Sequence, residues 1–244
     1  MNRDSNGYTF GFAAAMVVVV ASVLAFTASS LKDLQQDNVR KEKMQNILAT
    51  IGVETDRDGA EKLFNQYITD QLALRNDGSV DAEVSAFSDI NLAIEIKKNP
   101  TDQRFPLYIA NVSDNDYYII PLRGSGLWDA IWGYVALDSD KNTIKGAVFD
   151  HKAETAGLGA EITQDWFMNR FVGEKVFDNT GSLVGIAVSK TNNDPKDLDK
   201  NDHEVDAISG ATITGDGVSD MILERLSHYL PYFNKTTQTI AFNE

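Results

Sequence analysis

Cysteine is absent from the 244 residues. That excludes disulfide frameworks, Fe–S ligation by this chain, c-type haem attachment, thiol catalysis and a lipoprotein-style cysteine anchor. Histidine is nearly as scarce: three residues, at 151, 203 and 228, too scattered for a His-rich metal site, so no metal ligands are expected. Positive charge is under-represented as well. Lys+Arg 22 against Asp+Glu 36 gives a formal net charge of −14, which argues against a nucleic-acid partner, since that needs a basic face. Diffuse acidity describes a solvated surface. No Rossmann fingerprint follows any predicted strand, so dinucleotide binding is not expected.

Charge is also missing locally. From Tyr8 to Ala28, YTFGFAAAMVVVVASVLAFTA, no residue is charged. At about 1.5 Å per helical residue this run spans roughly the ~30 Å hydrocarbon core of a bilayer. Tyr8 is an interfacial type of residue at one end, and Lys32 stops the run at the other. The rival reading is a cleaved signal peptide, with Ala25-Phe26-Thr27-Ala28 as a weak cleavage site. The run exceeds the roughly 7–15 residues of a usual signal core, and one Arg and one Asp precede it, so a retained single-pass anchor is expected. Charge does not orient it. Arg3 lies before the span and Lys32, Arg40, Lys41 and Lys43 after it, and long domains translocate largely regardless of such charges.

Beyond the span, Leu34, Val39, Met44, Ile47, Leu48 and Ile51 approximate helical spacing, predicting an amphipathic helix over 31–51 closed by Gly52. Asp58 is placed to N-cap a second helix whose buried stripe would be Leu63, Phe64, Tyr67, Ile68 and Leu72. Asn76-Asp77-Gly78 is a turn signal. From Phe105 the period shortens, and strands are predicted over 107–111, 117–122, 132–137 and 143–149, with a hairpin turn at 138–142. A helix over 161–171, a strand over 183–190, a polar loop over 191–204 and a last helix over 215–229 complete the chain. The expected organisation is a short tail (1–7), a transmembrane helix (8–28), a helical juxtamembrane part (29–104) and a main domain (105–244). The fold class is α+β: one membrane helix, then one globular domain with a mostly antiparallel sheet and flanking helices.

The most unusual stretch is Asp206-Ala207-Ile208-Ser209-Gly210-Ala211-Thr212-Ile213-Thr214, small residues and hydroxyls just before a helix. It reads either as an N-cap, in which Ser or Thr satisfies orphan backbone N–H groups, or as a phosphate site, because a helix N-terminus favours an anion. A second segment, His151-x-x-Glu154-Thr155-Ala156-Gly157-Leu158-Gly159, has glycines that allow a tight turn presenting backbone N–H groups and a flat surface. Taken alone, His151 and Glu154 could also be an acid/base pair of an anchored hydrolase. Gly124-Ser125-Gly126-Leu127-Trp128 and Val188-Ser189-Lys190-Thr191 are a third and a fourth element.

Asp206-x-x-Ser209-Gly210-Ala211-Thr212 resembles the flavinylation motif of FMN-binding domains. The resemblance implies that a separate flavin transferase moves FMN from FAD onto Thr212 as a phosphoester. The hydroxyl attacks phosphorus and AMP leaves. Asp206 matches the acid that the family uses in transferase recognition, and Thr214 is a decoy hydroxyl. The 151–159 segment resembles the family's H-x-E-T-P-G-L-G loop, departing from it in Ala156 and in one extra residue after His151. The implied cofactor contacts are Ser209, Gly210, Ala211, Glu154, Thr155, Gly157, Leu158 and Gly159. Trp128 would wall the ring, and Lys190 would lie near its pyrimidine edge; no residue is assigned as catalytic. Asn6-Gly7-Tyr8-Thr9-Phe10, Leu24-Ala25-Phe26 and Gln35-Gln36-x-Asn38 extend the likeness to the C-subunit family of sodium-translocating NADH:quinone reductases. The related G-subunit family of Rnf complexes shares the two flavin motifs and matches the amino-terminal segment less well. The resemblance implies an electron carrier in a bacterial inner membrane, with its large domain on the periplasmic side. Its implied partners are other membrane and peripheral subunits, the flavin transferase and lipid. A membrane-anchored binding or assembly module without redox chemistry is the alternative class.

Overall fold

The computed structural model describes residues 5–196 and 198–241, with 236–241 as backbone only. Residues 1–4 of the expected tail and Asp197 of the expected polar loop lie outside the described residues. The chain forms two compact units, Met1–Lys43 and Met44–Glu244.

The first unit is built on α1, Asn6–Ala49, 44 residues without a break. The expected span and the helix expected after it form one continuous helix. Nothing between 27 and 31 interrupts the backbone ladder, and Thr27 turns its hydroxyl back to the Val23 carbonyl at 2.9 Å. The apolar stretch of α1 is wholly exposed, and by length and composition it is long and apolar enough to cross a membrane.

The second unit begins with the last turns of α1, which bury Met44, Ile47 and Leu48. Helix α2 follows, Arg57–Tyr67. Its N-cap is Asp56, whose carboxylate accepts from Gly59 N–H at 2.8 Å. Asp58 instead lies in the first turn, where a negative charge favours the helix dipole. The expected stripe ran too far: Ile68 and Leu72 belong to β1, Ile68–Leu74. A short helix α3, Leu92–Glu95, precedes β2 (Phe105–Val112), β3 (Asn115–Ser125), β4 (Ala130–Leu137) and β5 (Ile144–His151). The five strands form one sheet in chain order, every pairing antiparallel.

Strand periodicity sorts the core into two layers. Tyr108 and Ala110 of β2 and Tyr117 and Ile119 of β3 join Ile47, Leu48 and Phe64 on one face. Leu107, Ile120, Leu122, Ile131 and Val135 join Val218, Met221, Ile222 and Leu226 on the other. Those last four belong to α5, Thr212–Ser227.

Between β5 and α5 the structure departs from expectation. The helix expected over 161–171 is three short pieces: a 3-10 turn Gly159–Thr163, α4 (Asp165–Met168) and a 3-10 turn Asn169–Phe171. Gln164 is extended (φ −84, ψ 140) and breaks the run, so that Phe171 packs edge-on against Phe149 and Phe167, and Phe167 lies tilted against Phe149, with centroids 5.0–6.1 Å apart. The strand expected over 183–190 shrinks to β6, Ala187–Val188, because the chain turns at Gly185 (φ +68). It pairs in parallel with β7, Glu204–Val205. A further helix, α6 (Leu230–Ala241), follows the expected last one. Pro231 falls in its first turn, where no N–H donor is required.

Candidate functional site

Helix α5 starts at Thr212, three residues earlier than its periodicity suggests, with Ala211 as N-cap and no capping side chain. The hydroxyl N-cap reading therefore fails: Thr212 is itself the first helical residue. The first intrahelical bond is donated by Gly215 N–H to the Ala211 carbonyl at 2.9 Å. The amides of 212–214 are left as the orphan donors of the helix.

Beside this N-terminus is a cleft of about 220 Å³, with Leu127, Leu158, Gly210, Thr212 and Ile213 among its lining. Leu127, Leu158 and Ile213 are all exposed there. Glu154 also lines the cleft, the single charged residue that does so among the described residues, although its side chain is largely buried. One carboxylate oxygen accepts from Trp128 N–H at 2.9 Å, and the other from the Thr214 hydroxyl at 2.6 Å. Three segments distant in sequence are thus tied by one side chain. Gly126 and Gly159 make room for it: a Cβ at either would meet a Glu154 oxygen at 2.5 or 2.4 Å.

Three hydroxyls that look alike in sequence are now distinct. Thr214 is buried and its proton is committed to Glu154. Thr212 and Ser209 are exposed, and among the described residues neither hydroxyl is hydrogen-bonded. Of these two, Thr212 lines the cleft at the helix start. The indole of Trp128 is exposed and donates to the Thr155 hydroxyl at 3.1 Å, which braces the outer edge of the 154–159 loop. Within that loop Gly157 N–H donates to Glu161 at 3.1 Å.

The structure does not bring every expected residue to this cleft. Lys190 lines a neighbouring one with Ser189 and Asp216, its ammonium 3.7 Å from the Asp216 carboxylate. Asp206 is buried, six residues before Thr212, and does not line the cleft. His151 makes no pair with the Glu154 carboxylate: its Nδ1 accepts from Glu154 N–H at 3.2 Å while that carboxylate faces Trp128 and Thr214. The hydrolase reading therefore has no dyad. Leu127 and Ile213 lie inside the segments that the sequence singles out, though neither is assigned a cofactor contact there, and the role of Thr214 is missed. For Thr214 no local signal exists, because its partner lies 60 residues away.

Apolar walls, a free hydroxyl and an uncapped helix N-terminus suit a ligand that combines a flat apolar ring with a phosphate. Residues 126–227, which hold this cleft, match the family model of the FMN-binding domain. The full chain is also similar to the C-subunit of the Na(+)-translocating NADH-quinone reductase of Pseudomonas aeruginosa, 30% identical with 91% of each chain covered. The protein of the same name from Yersinia pestis is 30% identical over 90% of this chain and 88% of its own. A crystal structure of the C-subunit from Parabacteroides distasonis superimposes with a TM-score of 0.73 at 38% identity, covering 83% of this chain and 96% of the other. The chain belongs to the C-subunit family of the Na(+)-translocating NADH-quinone reductase.

Proposed function

We propose that this chain carries FMN esterified to Thr212 and serves as an electron carrier in a sodium-translocating NADH:quinone reductase. The observation that carries the reading is the free, exposed Thr212 hydroxyl at an uncapped helix N-terminus beside an apolar cleft. When bound, FMN supplies the one-electron redox chemistry that no side chain here offers.

The chain's own residues hold and orient it. The Thr212 oxygen becomes the ester oxygen, formed when a flavin transferase transfers FMN from FAD and releases AMP. The orphan amides of 212–214 and the α5 dipole favour the remaining phosphate charge by roughly 0.3–1 kcal/mol. Leu127 and Leu158 would wall the ring, and Trp128, which lines the neighbouring cavity, would brace the Thr155 side of the loop. Glu154 keeps the flavin loop, the Trp128 loop and the start of α5 in register. The apolar part of α1 anchors the chain in a bacterial inner membrane, with the 29–104 and 105–244 parts on the periplasmic side, among lipid and the other subunits. A covalent bond keeps the cofactor where no FMN pool replaces it.

The test is intact and peptide mass of the chain co-expressed with a flavin transferase. One FMN is expected, on the peptide containing Thr212. Thr212→Val keeps shape and removes the nucleophile. It should abolish the added mass while stability changes by no more than about 0.5 kcal/mol, as for other exposed positions. FMN on Thr214 or Ser209, or retained in Thr212→Val, overturns the assignment. A chain that stays colourless in the visible region supports the binding-module class instead.

A further inference from the structure

Asp206 opens the acceptor motif, yet its side chain is only 5% exposed. A partner docking on the acceptor turn does not reach a carboxylate at that depth. What Asp206 meets is internal. Its Oδ1 accepts from Asp194 N–H at 3.2 Å. Its Oδ2 faces a guanidinium nitrogen of Arg170 at 3.9 Å. Both of those facing atoms are buried and have no hydrogen-bond partner. Each is thus the other's nearest charge complement, and in a poorly solvated place that matters far more than at a surface.

Arg170 is itself held in place. Its guanidinium lies 5.1 Å from the Trp166 ring centroid, and its carbonyl accepts from Lys200 Nζ at 2.9 Å. Lys200 in turn pairs with the fully buried Glu174 at 3.5 Å. The 166–174 segment therefore forms a charged backing behind residues 194–206. From Asp206 the chain needs only six residues to reach Thr212.

We propose that Arg170 is a positioning residue for the flavin acceptor turn and acts through Asp206. The Arg170–Asp206 pair, with the Asp194 amide, fixes residues 206–211 and so the place of the Thr212 hydroxyl. The acid of the motif works from inside the fold, as a shape-setting group, and reaches the transferase only through the turn it holds. This inference rests on Thr212 being the acceptor.

The experiment uses the full chain with FAD and a flavin transferase, and follows the rate of FMN mass gain in Asp206→Asn, Arg170→Met, Arg170→Lys and the Asp206→Asn/Arg170→Met double variant. Each neutralising variant should slow labelling on the order of tenfold, as when the competent turn is populated about a tenth of the time. The double variant should be no slower than Asp206→Asn, because both remove one interaction, and Arg170→Lys should recover part of the rate. In the unflavinylated chain, amide hydrogen exchange at Asp194 and across 206–212 should quicken in Asp206→Asn and in Arg170→Met. If Arg170→Met does not fold, Trp166→Leu, which removes the ring beside the guanidinium, takes its place. Wild-type labelling in Arg170→Met or Trp166→Leu, multiplying defects in the double variant, or unchanged exchange each overturn the proposal. A wild-type chain that gains no FMN on Thr212 sinks the acceptor reading instead, and the exchange data still judge the Arg170–Asp206 link.

Discussion

Ile119 and Ile120 are neighbours on β3, and both are fully buried. Ile119 packs with the end of α1 and with α2, whereas Ile120 packs with α5. The first face is closed over by helices whose apolar sides end there. On the second face α5 does two jobs: Val218, Met221, Ile222 and Leu226 bury its body in the core, while its first turn stays open at the cleft. A packed helix whose first turn remains open offers rigidity and unsatisfied backbone donors in one element. The α2 face has the rigidity, and its helix N-terminus is already occupied by the Asp56 carboxylate.

The sharpest way to break this contrast is a matched pair. Ile119→Ala and Ile120→Ala each remove a fully buried aliphatic side chain, and each should cost about 2–5 kcal/mol. Thermal melts should show both losses. Flavin occupancy and visible absorbance below the melting range should change only in Ile120→Ala, which loosens the seat of α5. Equal flavin defects in the two would mean that the faces are not separable.

A smaller effect belongs to the cleft alone. Gly157 has φ +77 with nothing within 4 Å of a built Cβ. The penalty of Gly157→Val is therefore backbone strain, about 1–3 kcal/mol, and not a clash. The strain should move the 154–159 loop and shift the flavin absorbance band, while membrane insertion is unaffected. An unchanged spectrum would remove this loop from the ring's surroundings.

The smallest effect lies outside the cleft. Asp81 accepts from Arg104 Nε at 2.8 Å and from Arg75 at 2.8 and 3.2 Å. The hydrogen bonds from Arg104, then those from Arg75, hold its carboxyl below the usual aspartate range. A carboxylate with a depressed folded pKa contributes stability above its unfolded value, and that contribution is lost as pH falls through the unfolded value toward the folded one. Arg104→Met should therefore flatten the fall in melting temperature between about pH 5 and pH 3, with the flavin spectrum at neutral pH unchanged. A steeper acid limb in the variant would reverse the sign assigned to this pair.

Much was readable from local pattern. The Tyr8–Ala28 run is legible from its length and lack of charge, and four of the five sheet strands and the apolar face of α5 follow periods of 2.0 and 3.6 that neighbouring residues impose on one another. β1 was not, because Ile68 and Leu72 fit a continued helical stripe equally well and only pairing with β2 decides. The 159–171 stretch was not, because Phe149, Phe167 and Phe171 select each other across the core and override local helical spacing.

The sequence by itself determined where a membrane-length helix lies, where the sheet lies, and that Asp206 through Thr212 and His151 through Gly159 are the segments with chemistry to offer. Those are properties of residue type and spacing along a few turns of chain. Only the tertiary structure decided which hydroxyl is free. Thr212 and Thr214 differ little in sequence terms, but Glu154 reaches across 60 residues to accept the hydrogen bond of one and leave the other exposed. Only the tertiary structure set Arg170 behind Asp206 and kept Lys190 in a separate cleft. Buried polar groups must find partners wherever the chain brings them, and those partners are chosen by packing at long range, which no local spacing encodes.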